Sequence, residues 1–190
     1  MANRDNTGFR PARSTGAPHV ILRYPIDSSN GTNVFVGDVV TANAAGSVRP
    51  AAAGDATSVA GIVVALYDNN SIPVGAPASL TANKYLGSST AGYADVALAL
   101  PGVIFIAQGQ SGQTYAASAV NATTDHVAGT GVTSTATSGH ELDLSDLNTG
   151  GQFIILGIVN EPNNSAGINT DLYVMFNESI FAGTGKAVGV

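Results

Sequence analysis

Short runs of β-branched and aliphatic residues, broken at turn residues, set the pattern of this chain. The clearest stretch spans residues 34–67. It reads Val34-Phe35-Val36-Gly37-Asp38-Val39-Val40, then Ser47-Val48-Arg49-Pro50, then Val59-Ala60-Gly61-Ile62-Val63-Val64-Ala65-Leu66-Tyr67. Gly-Asp, Asn-Ala-Ala-Gly and Arg-Pro separate the runs, and punctuation of this kind bounds strands. Val, Ile and Tyr favour a pleated, half-buried surface. A compact antiparallel unit is expected here. Residues 19–24 predict a first strand, stopped by Pro25. Residues 91–99 alternate in part, with Tyr93, Asp95 and Ala97 on one side and Ala94, Val96 and Leu98 on the other. Residues 103–107, 153–159 and 172–176 predict further strands, the last two a hairpin across the turn-rich loop 161–169. Residues 80–86 are a weak strand candidate. Residues 113–120 are the best helix candidate, with Thr114 as a possible cap. Residues 123–139, rich in Thr, Ser and Gly, read as loop or edge structure. The expected fold is all-β: a single antiparallel β-barrel or β-sandwich domain with at most one short helix. Helical content should fall below about a sixth, against an average near one-third.

Residues 1–18 show neither the strand nor the helix period. Ordering a segment costs about 1–2 kcal/mol per residue in backbone entropy. The only large apolar side chain there beyond Met1 is Phe9, whose burial returns about 1.5–3 kcal/mol. The segment therefore reads as an extended N-terminal arm that a partner must order. Residues 19–181 form the β-rich body and residues 182–190 a Gly-rich tail.

Charge sharpens this division. Arg4, Arg10, Arg13 and Arg23 fall in the first 23 residues with only Asp5 against them, while the remainder is net acidic. A basic arm on an acidic body suits docking on an acidic protein surface. Arg4, Phe9, Arg10 and Arg13 are the candidate partner contacts. Nucleic acid is not expected as a partner, because phosphate binding needs basic clusters.

At 190 residues one domain is the natural expectation. Charged residues make up 11%, against about 25% in an average soluble domain. The 44% hydrophobic content argues against disorder. What remains for the surface is small and neutral, which suits contact with other subunits. Cysteine is absent, which excludes disulfides, thiolate zinc sites and a Cys nucleophile. No apolar run approaches the ~20 residues of a membrane helix, and the first residues lack a secretory h-region. Synthesis in a cytoplasm, with no membrane partner, is the expectation.

Candidate chemistry is sparse. His19, His126 and His140 show no metal-ligand spacing. Glu141, Asp143 and Asp146 are oxygen ligands of the kind calcium takes, but the EF-hand pattern is missing, and a solvated acidic turn is the commoner meaning. Asp125-His126 lacks the G-x-S-x-G elbow that would supply a serine. Gly183-Thr184-Gly185-Lys186 fails the P-loop pattern. No catalytic, cofactor-binding or metal-ligating residue is assigned, and an enzyme is not expected.

Several segments in order carry a resemblance. The chain opens Met-Ala-Asn-Arg-Asp-Asn-Thr-Gly-Phe-Arg-Pro. Phe35-Val36-Gly37-Asp38-Val39-Val40, Ala52-Ala53-Gly54-Asp55-Ala56, Ile155-Leu156-Gly157-Ile158-Val159 and Glu161-Pro162-Asn163-Asn164 follow. Together they resemble the small structural proteins that decorate, or cement, the heads of tailed bacteriophages. The resemblance implies a β-rich homotrimer on the outer surface of an icosahedral capsid, made in the bacterial host cytoplasm and bridging subunits of the major capsid protein. It implies no catalytic residue, cofactor or metal. A tail or head–tail component, or a receptor- or glycan-binding module using residues 123–139 and 161–169, are the alternatives.

Overall fold

The computed structural model describes residues 8–16, 18–43, 45–54, 59–79, 83–148 and 150–181, with residues 13–16 described by their backbone. Arg4 and the tail 182–190 lie outside the described residues. The strands are β1 (Arg10–Gly16), β2 (Ile21–Ile26), β3 (Val39–Ala42), β4 (Val48–Pro50), β5 (Val59–Tyr67), β6 (Gly92–Leu98), β7 (Val103–Gln108), β8 (Thr123–Thr124), β9 (His126–Val132), β10 (Thr137–Leu142), β11 (Phe153–Ile158) and β12 (Asp171–Phe176). One sheet runs β1-β7-β12-β11-β8, a second runs β2-β6-β5-β3-β4, and β9 and β10 form a separate two-stranded hairpin. The chain is all-β with antiparallel sheets, as the alternation predicts.

The central strands β5 and β6 of the second sheet are buried on both faces, which explains their near-continuous apolar sequence. Along β5, Val59 and Ile62 face the first sheet while Ala60, Val63 and Leu66 face the other way. Along β6, Ala97 joins the first set and Ala94, Val96 and Leu98 the second. The core between the sheets is aromatic: Phe9, Phe105, Phe153 and Phe176 meet Leu172, Val174 and Ile155. Phe105 and Phe176 touch edge to face with centroids 5.1 Å apart, a favoured geometry for aromatic pairs. The second core is aliphatic. The sheet curls so that its end strands β2 and β4 come into contact, wrapping Ile26, Val34, Val40, Val48 and Leu86 with the inward residues of β5 and β6. The architecture combines a sandwich with a partly closed barrel, sharing one sheet.

Three local expectations are corrected. The N-terminal segment is not an arm from residue 8 onward. Phe9 is 2% exposed and stands 4.9 Å, centroid to centroid, from Phe153. β1 pairs with β7, beginning at Arg10 opposite Ile106. Ladder hydrogen bonds and a sheltered aromatic repay an ordering cost that the segment could not repay alone. Pro25 does not stop the strand: β2 continues to Ile26, with Pro25 opposite Tyr93, which an edge strand tolerates because its outer N–H has no ladder partner to lose. The helix expected at residues 113–120 reduces to a 3-10 turn, Ala117–Ala119. Its neighbours take the backbone groups instead: Tyr115 N–H donates to Gly167 O at 2.9 Å and Asn121 N–H to Ile155 O at 2.7 Å.

The expected hairpin of β11 and β12 is present. Its loop is tied down by Asn164, whose amide donates to Val159 O and Asp171 O, both at 2.8 Å, and accepts from Asp171 N–H at 2.9 Å.

Candidate functional site

The sequence Phe35-Val36-Gly37-Asp38 folds as a tight turn before β3. Asp38 Oδ2 accepts the Phe35 N–H at 2.8 Å, and the Asp38 N–H donates back to Phe35 O at 3.2 Å. Gly37 N–H donates to Val63 O, and Val63 N–H to Asp38 O, fixing the turn on β5. Gly37 sits at φ +97°, and a Cβ there would lie 3.2 Å from Phe9 O and from Ser138 Cβ. A side chain is excluded by backbone conformation and by space together.

The turn carries the Asp38 carboxylate under the β9–β10 hairpin. There it meets His140, with Nε2 at 3.8 Å from Asp38 Oδ1. Both are almost fully buried, 2% and 4% exposed. The Val39 N–H donates to His140 Nδ1 at 3.2 Å. Nδ1 is therefore the acceptor nitrogen, the neutral ring carries its proton on Nε2, and that N–H faces Asp38. Although the pair stands at ion-pair distance, burial favours the neutral form of each partner. Desolvation pushes the Asp38 carboxyl up to about 7, against the hydrogen bonds from Ser138 and Phe35. Desolvation, then the neighbouring His126, pushes His140 down to about 3. Asp38 Oδ1 has no protein hydrogen-bond partner.

His126 stacks on His140 with centroids 5.1 Å apart and planes 19° apart. Its Nδ1 stands 2.6 Å from Gln152 Oε1 and its Nε2 3.2 Å from Ala51 O. Three distant parts of the chain thus meet in one buried polar cluster. Above it opens a cavity of about 770 Å³, walled by residues 29–33, residues 49–53 and residues 128–131, with Asp38, His140 and Phe35 among its lining. Small-ligand sites occupy about 300–1,000 Å³.

The sequence-predicted contacts are scattered. Phe9 is spent on the chain's own core and is not free to enter a partner. Arg10 is half-buried, and its guanidinium donates to Asp171 at 2.8 Å. Arg13 lies within β1. Asp125 turns away from His126 to accept the Gln152 N–H at 3.0 Å. The acidic segment after His140 is not a solvated turn throughout: Glu141 and Leu142 are buried in β10. Among the described residues, no three His, Asp or Glu side chains are placed to hold a metal ion.

Asp38 and His140 escaped sequence reasoning because they are far apart in the chain and match no spacing motif. The one signal was a carboxylate set inside the apolar run of residues 34–40, where burial is hard to avoid.

The fold and this cluster define the protein as an all-β domain with a buried Asp–His pair under a surface cavity. No protein-family model, curated protein or solved structure matches the chain.

Proposed function

We propose that this chain is a structural virion protein that decorates a tailed-phage capsid and bridges subunits of the major capsid protein as a homotrimer. The observation that carries this reading is the exposed apolar start of β2, an end strand of the second sheet. Val20, Ile21 and Leu22 are 40%, 51% and 47% exposed on or beside the edge strand β2. Three consecutive exposed aliphatics on an edge strand suit an interaction surface. The low charge of the chain supports the same reading. Purified particles test it. Ile21→Lys with Leu22→Lys should abolish loading onto particles while the protein stays folded. Hundreds of copies per particle support decoration, whereas a handful would move the protein to the tail. Undiminished loading of the double variant would remove the edge from the proposal.

The cavity favours a second reading, a ligand-binding module on the virion surface. Residues 128–131, within the segment expected to bind, form one of its walls.

A further inference from the structure

We infer that the cavity is a slot for an extended peptide segment of a partner protein, which pairs with the outer edge of β9 and sets a carboxylate against Arg49. This gives the second reading above its ligand class and does not depend on capsid attachment.

Two extended stretches of chain wall the cavity, residues 128–131 of β9 and residues 49–53. The second stretch is fixed on the body. Arg49 stands opposite Thr41 in the β3–β4 ladder, and the Ala51 N–H donates to Val39 O at 2.9 Å. The two stretches are pinned together at one end, where His126 Nε2 lies 3.2 Å from Ala51 O. β9 pairs only with β10. Beyond that ladder, among the described residues, the main chain of residues 128–131 makes no hydrogen bond. The register shift between Gly129 and Val132 also sets Thr130 and Gly131 against Ser138 alone, so a peptide group there has no place in the ladder. β9 is therefore a strand edge with donors and acceptors to offer, and no lysine, acid or proline guards it. An added strand satisfies such an edge through main-chain bonds. The surface it would meet is accessible: Ala52, Ala53, Ala128 and Thr130 are exposed. Alanine and glycine on both walls leave room for the side chains of the added strand.

Arg49 supplies the selectivity. Arg10 is paired with Asp171 and Arg23 with Asp95, whereas Arg49 forms no ion pair among the described residues and is exposed on the cavity wall. Its planar guanidinium matches a carboxylate. The one acid in the lining, Asp38, is enclosed, and burial pushes it towards its neutral form. Little in the slot therefore opposes an anion, while a basic segment would meet Arg49 with like charge. A small carboxylate would engage Arg49 and leave the β9 edge unused; an extended acidic segment uses both.

Selecting a displayed library of random peptides, about twelve residues long, against the folded protein tests the assignment, followed by titration of the recovered peptides into isotope-labelled protein. The recovered peptides should share an Asp or Glu within an extended, β-branched sequence. They should shift the amides of residues 128–131, slow hydrogen exchange along β9 and leave the amides of β12 in place. Arg49→Ala should weaken binding by about tenfold, and Arg49→Lys should restore part of the loss. Replacing the peptide's acid by its amide should cost the same on the wild type and nothing more on Arg49→Ala. Peptides that bind equally well without their acid, or that shift β2 in place of β9, would overturn the assignment. No recovered peptide, with protection of β9 that rises with protein concentration, would give the edge to a second copy of this chain instead. If a fragment library of small molecules shifts these amides and no peptide does, the peptide is wrong and the binding module stands. If nothing shifts them, both fall.

Discussion

Two edge strands, β1 on the first sheet and β2 on the second, treat their side chains in opposite ways. The segment leading into β1 is polar, basic and proline-bearing, yet Phe9 and Ala12 are buried. β2 opens with Ile21-Leu22, yet both are about half exposed. The difference lies in what each strand is laid against. β1 enters over the Phe153 ring and between Gly37 and Ser138, where Gly8 approaches so closely that a Cβ would lie 2.6 Å from Ser138 Cβ. β2 lies where the barrel curls and the first sheet no longer covers it. Position in the sheet, more than composition, sets burial.

The contrast breaks most readily at Phe9. Phe9→Ala should cost about 3–5 kcal/mol, and deleting residues 1–18 should lose the cooperative transition in denaturant. A truncated protein with an unchanged midpoint would return the segment to the status of an arm.

A second test sharpens the comparison through pH, because β1 is seated on the turn that carries Asp38, with Phe9 N–H donating to Gly37 O at 3.0 Å. Asp38, raised from 3.8 to about 7 in the fold, contributes stability that is full below 3.8 and lost as pH rises through 7. His140, lowered from 6.5 to about 3, contributes stability that is full above 6.5 and lost as pH falls towards 3. Between these limits the two oppose each other. Removing either should expose the other, at up to about 1.4 kcal/mol per pH unit. Asp38→Asn should make the protein more acid-labile than wild type between pH 6.5 and 4. His140→Phe should make stability rise on acidification over the same range. Parallel pH profiles for both variants and wild type would show that the pair does not titrate as described.

Arg10→Ala tests whether the ion pair, rather than Phe9, holds β1. The Arg10 side chain is 37% exposed, so the loss should stay under about 1 kcal/mol and shrink in salt. The smallest effect belongs to β2. Ile21→Lys with Leu22→Lys should change unfolding free energy by no more than about 0.5 kcal/mol, since neither side chain is enclosed. A large loss would mean that the edge is covered within the fold.

Much of the sheet was legible. The alternation at Tyr93, Asp95 and Ala97 against Ala94, Val96 and Leu98 separates the two faces of β6 as observed, and the runs at 103–107, 153–159 and 172–176 mark strands of the first sheet. β1 was not legible, because its strand identity comes from β7, about a hundred residues away, and no local period records that. The helix expected at 113–120 failed for the same reason: Gly167 and Ile155 claim backbone groups that a helix would have used. At the site, the Gly37-Asp38 turn was visible and its burial was not. Burial of Asp38 depends on the β9–β10 hairpin folding over it, and the Thr-rich sequence of that hairpin looks like surface.

The pairing of β1 with β7 also has a consequence in time. Residues 8–16 leave the ribosome about a hundred residues before their partner strand, which includes Ile106, and β7 is flanked on its other side by β12, which follows later still. β1 therefore cannot find its place until β7 has been made. Pairings this distant raise contact order and slow folding, and a nascent chain holds Phe9 exposed until β7 is made, and one β7 edge unpaired until β12 is made.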